Sequence, residues 1–153
     1  MSICWTYLDK TAATVKALKD FRRMQYIIDH TDDEIRQVED RMAGVALPRI
    51  SGMPRNPNPQ AGEDRMIKGI EEIDVLKKRY QQAREYMDWF LPAWNNLSPE
   101  ERFMLDAFYS ADNEYGARAV DNVAKECNIA RPSAYRKKTN ALDSLTTLLY
   151  GRW

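Results

Sequence analysis

A chain of 153 residues with 23 basic and 23 acidic side chains has no formal net charge, so no blanket affinity for polyanions is expected. It is 44% hydrophobic and 30% charged, with only two cysteines and one histidine, which excludes a disulfide framework, a four-cysteine zinc site and most triad chemistry. No apolar run approaches the roughly 18 residues that would cross a bilayer, and the first 26 residues mix Asp9, Lys10, Lys16, Lys19 and Asp20 into their apolar positions, unlike a signal peptide.

From about Trp5 to Gly44 the apolar positions Leu8, Val15, Leu18, Phe21, Ile28, Ile35, Val38 and Met42 recur mostly at three- and four-residue steps or their sums, which predicts helix. A break is expected at Asp29 to Asp33, where Thr31 would cap a second helix and Glu34 would complete a capping box. Residues 45–62 carry Pro48, Pro54, Pro57 and Pro59 and read as an extended loop. Helix resumes near Glu63 and runs to about Leu91, with Ile67, Ile70, Ile73, Leu76, Tyr80, Ala83, Met87 and Phe90 close to the 3.5-residue period of a coiled coil. That stripe needs a partner: the earlier helices folded back across the loop, or the same 63–91 helix of another protomer. Pro92 is expected to end this rod, with Trp89 and Trp94 packing its junction to the C-terminal third of the chain.

Ser98 as N-cap, Pro99 at the first helical position and Glu101 at the third mark a new helix, with Phe103, Met104, Ala107 and Phe108 as its buried stripe. A polar connection runs from Ser110 to Gly116, whose glycine suits positive φ. The next helix, Ala119 to Cys127, turns Val120, Val123, Ala124 and Cys127 inward. Asn128 can take the left-handed corner, Ile129 would plug the angle between helices, and Pro132 sets the first turn of the last helix. There Ala134, Ala141, Leu142, Leu145, Leu148 and Leu149 form the inward arc, with Tyr135 at its edge, and Ser133, Arg136, Lys137 and Asn140 share another.

Charge singles out this last helix. Leu97 to Cys127 holds three basic against seven acidic residues, whereas Asn128 to Leu142 holds four basic and no acidic one. A major groove admits one helix, and Arg and Asn can pair bidentately with guanine and adenine edges. Arg136 and Asn140 are therefore the candidate base contacts, and Arg131, Lys137 and Lys138 the candidate phosphate contacts. The expected fold is all-α: a helical hairpin or coiled-coil region over 1–96, then a trihelical helix-turn-helix domain over 97–153 that binds double-stranded DNA.

The run Leu97-Ser98-Pro99-Glu100-Glu101-Arg102, then Val123 to Ile129, then Ser133-Ala134-Tyr135-Arg136-Lys137-Lys138 leading to Ala141-Leu142-Asp143-Ser144-Leu145 resembles the fourth region of bacterial sigma factors. More closely, the chain resembles the ArpU/RinA-type late-transcription regulators of phages and prophages, the motif-bearing part being its last third. The resemblance implies a DNA-binding activator of late phage genes in a bacterial cytoplasm, with DNA contacts at Arg131, Ser133, Arg136, Lys137 and Asn140; a second possibility within transcription is that the sigma-like unit contacts RNA polymerase more than DNA. Asn128 stands at the usual glycine of the turn, Ala130 where a Ser or Thr would cap the recognition helix, and Thr139-Asn140 where more basic residues would follow. A packaging protein of the small-terminase kind is the alternative that the same layout allows.

Nothing in the pattern calls for a cofactor, a metal or catalysis. His30 is expected at a solvated helix end, and the acids at 29, 32, 33 and 34 lack the alternating spacing and central glycine of a calcium loop.

Overall fold

The computed structural model describes residues 7–44, 60–109 and 116–151. They form an all-α protein of five helices: α1 Lys10–Ala43, α2 Gln60–Asn95, α3 Pro99–Tyr109, α4 Gly116–Cys127 and α5 Arg131–Tyr150. Among the described residues no helix is long and apolar enough to cross a membrane. Cys4, Trp5, Trp153, most of the expected proline-rich loop and the polar connection over 110–115 lie outside them.

Several boundaries differ from the pattern-based expectation. α1 starts at Lys10, not Trp5, because Asp9 caps it: Asp9 Oδ1 accepts from the Ala12 amide at 3.0 Å. The expected break at Asp29 to Asp33 is absent, and α1 runs straight through it. Thr31 is buried in the helix interior and its hydroxyl donates to the Ile27 carbonyl, while Glu34 reaches Arg79 instead of capping. His30 accordingly lies mid-helix, its ring stacked on Tyr26 with centroids 3.9 Å apart. α2 begins at Gln60, three residues before the expected start, and continues past Pro92 to Asn95. A proline costs one amide bond in a helix, but here it falls in the last turn, where buried Ala93 and Leu97 and the Phe90–Trp94 ring stack at 5.9 Å tie the chain to the core. Gly116, expected at a left-handed bend, is the first residue of α4.

By packing the chain forms two compact units, Met1–Met24 with Tyr86–Trp153, and Gln25–Glu85. The boundary expected between 96 and 97 coincides with neither edge, because Ala17, Phe90, Ala93 and Leu97 share one buried cluster with α3, α4 and α5.

In the Gln25–Glu85 unit, α1 and α2 pack antiparallel. As α1 advances from Glu34 to Arg41 to Met42, its partners on α2 recede from Arg79 to Glu72 to Gly69. Gly69, Leu76 and Ala83 are buried one heptad apart, with half-buried Ile73 and Tyr80 between them, the spacing of a coiled-coil seam. The expected stripe is thus shifted at its start: Ile67 and Ile70 are exposed, and Gly69 takes the seam because Met42 occupies the space a Cβ would need.

In the other unit α3, α4 and α5 pack on one another around Met104, Leu105, Phe108, Ala119, Val120, Val123, Ala134, Ala141, Leu142 and Leu145. Leu105 is fully buried in α3 and Phe103 is exposed, so that stripe is rotated from the expected one. Leu148, expected inward, is also exposed, because the core around α5 ends with Leu145 and half-buried Leu149. The first stretch of α1 and the end of α2 join this core. The Tyr86 hydroxyl donates to the Ala17 carbonyl, and the Thr146 hydroxyl lies 3.0 Å from that of Thr14.

The start of α3 is a capping box as expected. The Ser98 amide donates to Glu101 Oε2 at 2.9 Å and the Glu101 amide to Ser98 Oγ at 3.2 Å. Ser98→Ala should cost about 1 kcal/mol of stability. The Ser98 amide, above all, holds the Glu101 carboxyl below the ordinary glutamate range, against the opposing effect of burial and with help from the Ser144 and Ser98 hydroxyls. A depressed folded-state pKa contributes stability that is complete above the unfolded value, roughly 4.3, and is lost as pH falls through the folded one. Thermal melts of the protein and of Glu101→Gln should therefore differ most above about pH 5 and converge in acid; a gap independent of pH would remove the ionic part of the cap.

Candidate nucleic-acid interface

α4 ends in a two-bond cap that sets the angle of α5. The Ile129 amide donates to the Ala124 carbonyl at 3.0 Å and the Asn128 amide to the Lys125 carbonyl at 3.4 Å, the pairing of a Schellman motif. Asn128 supplies its left-handed residue at φ 55°, among the described residues the one non-glycine with positive φ. Ile129 is half-buried against the core. Ala130 then adopts N-cap backbone angles, φ −72° and ψ 151°, but has no side chain that can bond the free amides of α5. Pro132 occupies the first turn, where a missing amide costs little.

α5 is anchored on one arc by Ala134, Ala141, Leu142 and Leu145, three of them fully buried. Ala134, with no side chain beyond Cβ, lets α5 close onto its neighbours at its N-terminal end. The opposite arc carries Arg136 and Asn140, both exposed and one helical turn apart, flanked by half-buried Ser133. Asn140 and Lys137 also line a shallow cleft with Glu100, Glu101, Met104 and Ala141.

The expected cations are not equivalent. Arg136 has no ion pair among the described residues. Lys137 pairs with Glu100 of α3, whose hydrogen bond and negative charge push its pKa up and keep it cationic. Arg131 Nε lies 2.9 Å from Asp121 Oδ1 of α4, in a pair whose two side chains are both more than half exposed. Lys138 turns away from the Arg136 face, its ammonium 5.3 Å from the Phe108 ring centroid and 5.7 Å from those of Tyr109 and Tyr135. The structure thus brings together Ser133, Arg136, Lys137 and Asn140, sets Arg131 at the helix start, and gives Lys138 to an aromatic cage. The cage was hidden in the sequence, since Phe108 and Tyr109 lie on another helix.

Over the full sequence charge separates slightly between the two units: the one containing α3, α4 and α5 holds thirteen basic and eleven acidic side chains, the other ten and twelve. No family model, curated protein or solved structure matches the chain.

The corner can be tested by substitution. Asn128→Ala should destabilise by about 1 kcal/mol through the left-handed penalty, whereas Asn128→Gly should not. Ala130→Ser supplies the missing cap and should stabilise by about 1 kcal/mol. Thermal or urea unfolding reads both, and an unchanged midpoint for Ala130→Ser would mean that those amides are already satisfied.

Proposed function

We propose that the chain is a sequence-specific double-stranded DNA-binding regulator that presents the N-terminal half of α5 to a major groove, and that its targets are late genes of a phage or prophage. The observation that carries this reading is the pair Arg136 and Asn140, side by side on an exposed arc of a helix whose other arc is fully anchored. Arg136 would take guanine O6 and N7, and Asn140 adenine N6 and N7, each a bidentate contact. Arg131 and Lys137 would exchange their carboxylate partners for phosphates. Exposed ion pairs are weakly held, so such an exchange is accessible. Ser133, half-buried in the first turn of α5, would donate its hydroxyl to a backbone phosphate.

Self-association is part of the proposal, since one recognition helix covers few base pairs and a second copy doubles the contacts. Ile67 and Ile70, 54% and 51% exposed, are apolar positions of α2 left for it.

Selection of bound sites from random duplexes, followed by mobility shift on the selected sequence, tests the reading. Arg136→Ala and Asn140→Ala should each weaken the selected site by about 1–3 kcal/mol, roughly 5- to 150-fold, and relax the preference at one position. Equal affinity and equal preference in both variants would reject the assigned contacts. Failure of the unmodified protein to retain any duplex would reject the function.

A further inference from the structure

The two helices of the Gln25–Glu85 unit leave its two sides unlike. Thr31 and Val38 of α1, and Gly69, Leu76 and Ala83 of α2, are buried in the seam at seven-residue intervals. On one side the seam is closed by charge, Glu34 against Arg79 and Arg41 against Glu72. Turning the other way from the seam, the next row on each helix is apolar: Ile28, Ile35 and Met42 on α1, Met66, Ile73 and Tyr80 on α2, again seven residues apart. Because the helices are antiparallel, the same rotational sense on both brings the two rows to one side of the hairpin. Five of the six are half-buried and Met66 is 46% exposed, since two helices side by side have no second layer to bury such a row against. One step further round, α1 carries Asp32 and Glu39 and α2 carries Lys77 and Arg84. All four are exposed, and none has an ion pair among the described residues.

We infer that this side of the hairpin is where a second copy of the chain docks, forming a four-helix bundle whose two-fold axis runs parallel to the helices. The inference deepens the self-association of the proposed function and rests on that part of it. Charge selects this occupant and this orientation. A two-fold axis along the helices lays α1 of one copy over α2 of the other and keeps every residue at its level, so the acidic margin of α1 meets the basic margin of α2, twice over. The levels follow from the ion pairs within the hairpin, Glu34 opposite Arg79 and Arg41 opposite Glu72. Asp32 is then three residues from level with Arg84, and Glu39 three from level with Lys77. At 1.5 Å per residue each offset is about 4.5 Å, which a lysine or arginine side chain spans. A two-fold axis across the helices would instead lay α1 on α1 and set the acids of both copies against one another. Charged margins of this kind fix partner and orientation in helical bundles, while the apolar rows between them supply the burial.

The test is sedimentation equilibrium of the full chain in the absence of DNA, where the unmodified protein should have the mass of two chains. Lys77→Glu with Arg84→Glu, and separately Asp32→Lys with Glu39→Lys, alter exposed side chains and should each weaken the dimer at least roughly tenfold by setting like charges across the interface. Mixing the two variants should restore dimers, because each then meets opposite charge at both margins. A role of these residues within one hairpin would not be rescued by mixing, and circular dichroism checks that both variants remain helical. A monomer, an assembly larger than two chains, reversals without effect, or a mixture that stays monomeric would each overturn the inference. Mobility shift separates it from the reading of α5: a dimer that retains no duplex leaves the inference standing and removes that reading, and a monomer that binds the selected duplex does the reverse.

Discussion

The corner at Asn128 is the constraint on which the interface depends. Two backbone bonds, Ile129 to Ala124 and Asn128 to Lys125, end α4 and fix the direction in which the chain leaves it. One residue must then sit at φ 55°, a region where most side chains meet their own carbonyl. Because that corner is set, Ala134, Ala141 and Leu145 fall on one arc of α5 and are buried, and Arg136 and Asn140 are carried to the other. A slip of one residue at the corner would rotate α5 by about 100° and carry Arg136 off its arc to the position now held by Tyr135 or Lys137, at the margin of the core. The short-side-chain residues of α5 matter for the same reason. Ala134 is fully buried, so a larger side chain there would lift the helix from its support.

Electrostatics at this surface are governed by pairing rather than by total charge. A count along α5 gives a cationic strip, but three of its cations are engaged by other parts of the same unit, two by carboxylates and one by rings. Such pairing holds the side chains in place before a ligand arrives, and it also lowers what each gains from a phosphate, since a partner must be surrendered. Under the proposed DNA reading this arrangement would favour specificity: non-specific attraction would be weakened, while Arg136, with no competing carboxylate among the described residues, would discriminate between base edges.

Much of the fold was legible because the features that specify it are local. The capping box at Ser98 and Glu101, the left-handed Asn128 and the uncapped Ala130 each involve residues within four of one another, and each was expected from the sequence. The errors came where tertiary packing overrules local preference. Thr31 followed by Glu34 spells a helix start, yet in a buried interior the hydroxyl returns to the Ile27 carbonyl and the helix goes on. Pro92 spells a stop, yet Ala93, Trp94 and Leu97 are worth more packed than the one amide bond lost. Gly69 spells nothing to a hydrophobic pattern, and only the position of Met42 explains why a residue without a side chain sits in the seam.

The candidate site shows the same division between local and distant causes. That Arg136, Lys137 and Asn140 lie near one another follows from helical periodicity and needs no coordinates. That Lys137 belongs to Glu100, Arg131 to Asp121 and Lys138 to Phe108 does not follow from it, since each partner lies on a different helix from α5. The same blindness affected the charge balance: cutting the chain at residue 96 assigned Lys16 to Arg23 to the acidic stretch beyond them. Helix α1 has no proline or glycine at Met24 to mark where one packing unit gives way to the other, and the change is visible only as a reversal of sign on its exposed face. A uniform helix can thus carry two electrostatic identities. The cationic one is borne by the turns whose buried side packs with the core behind α5.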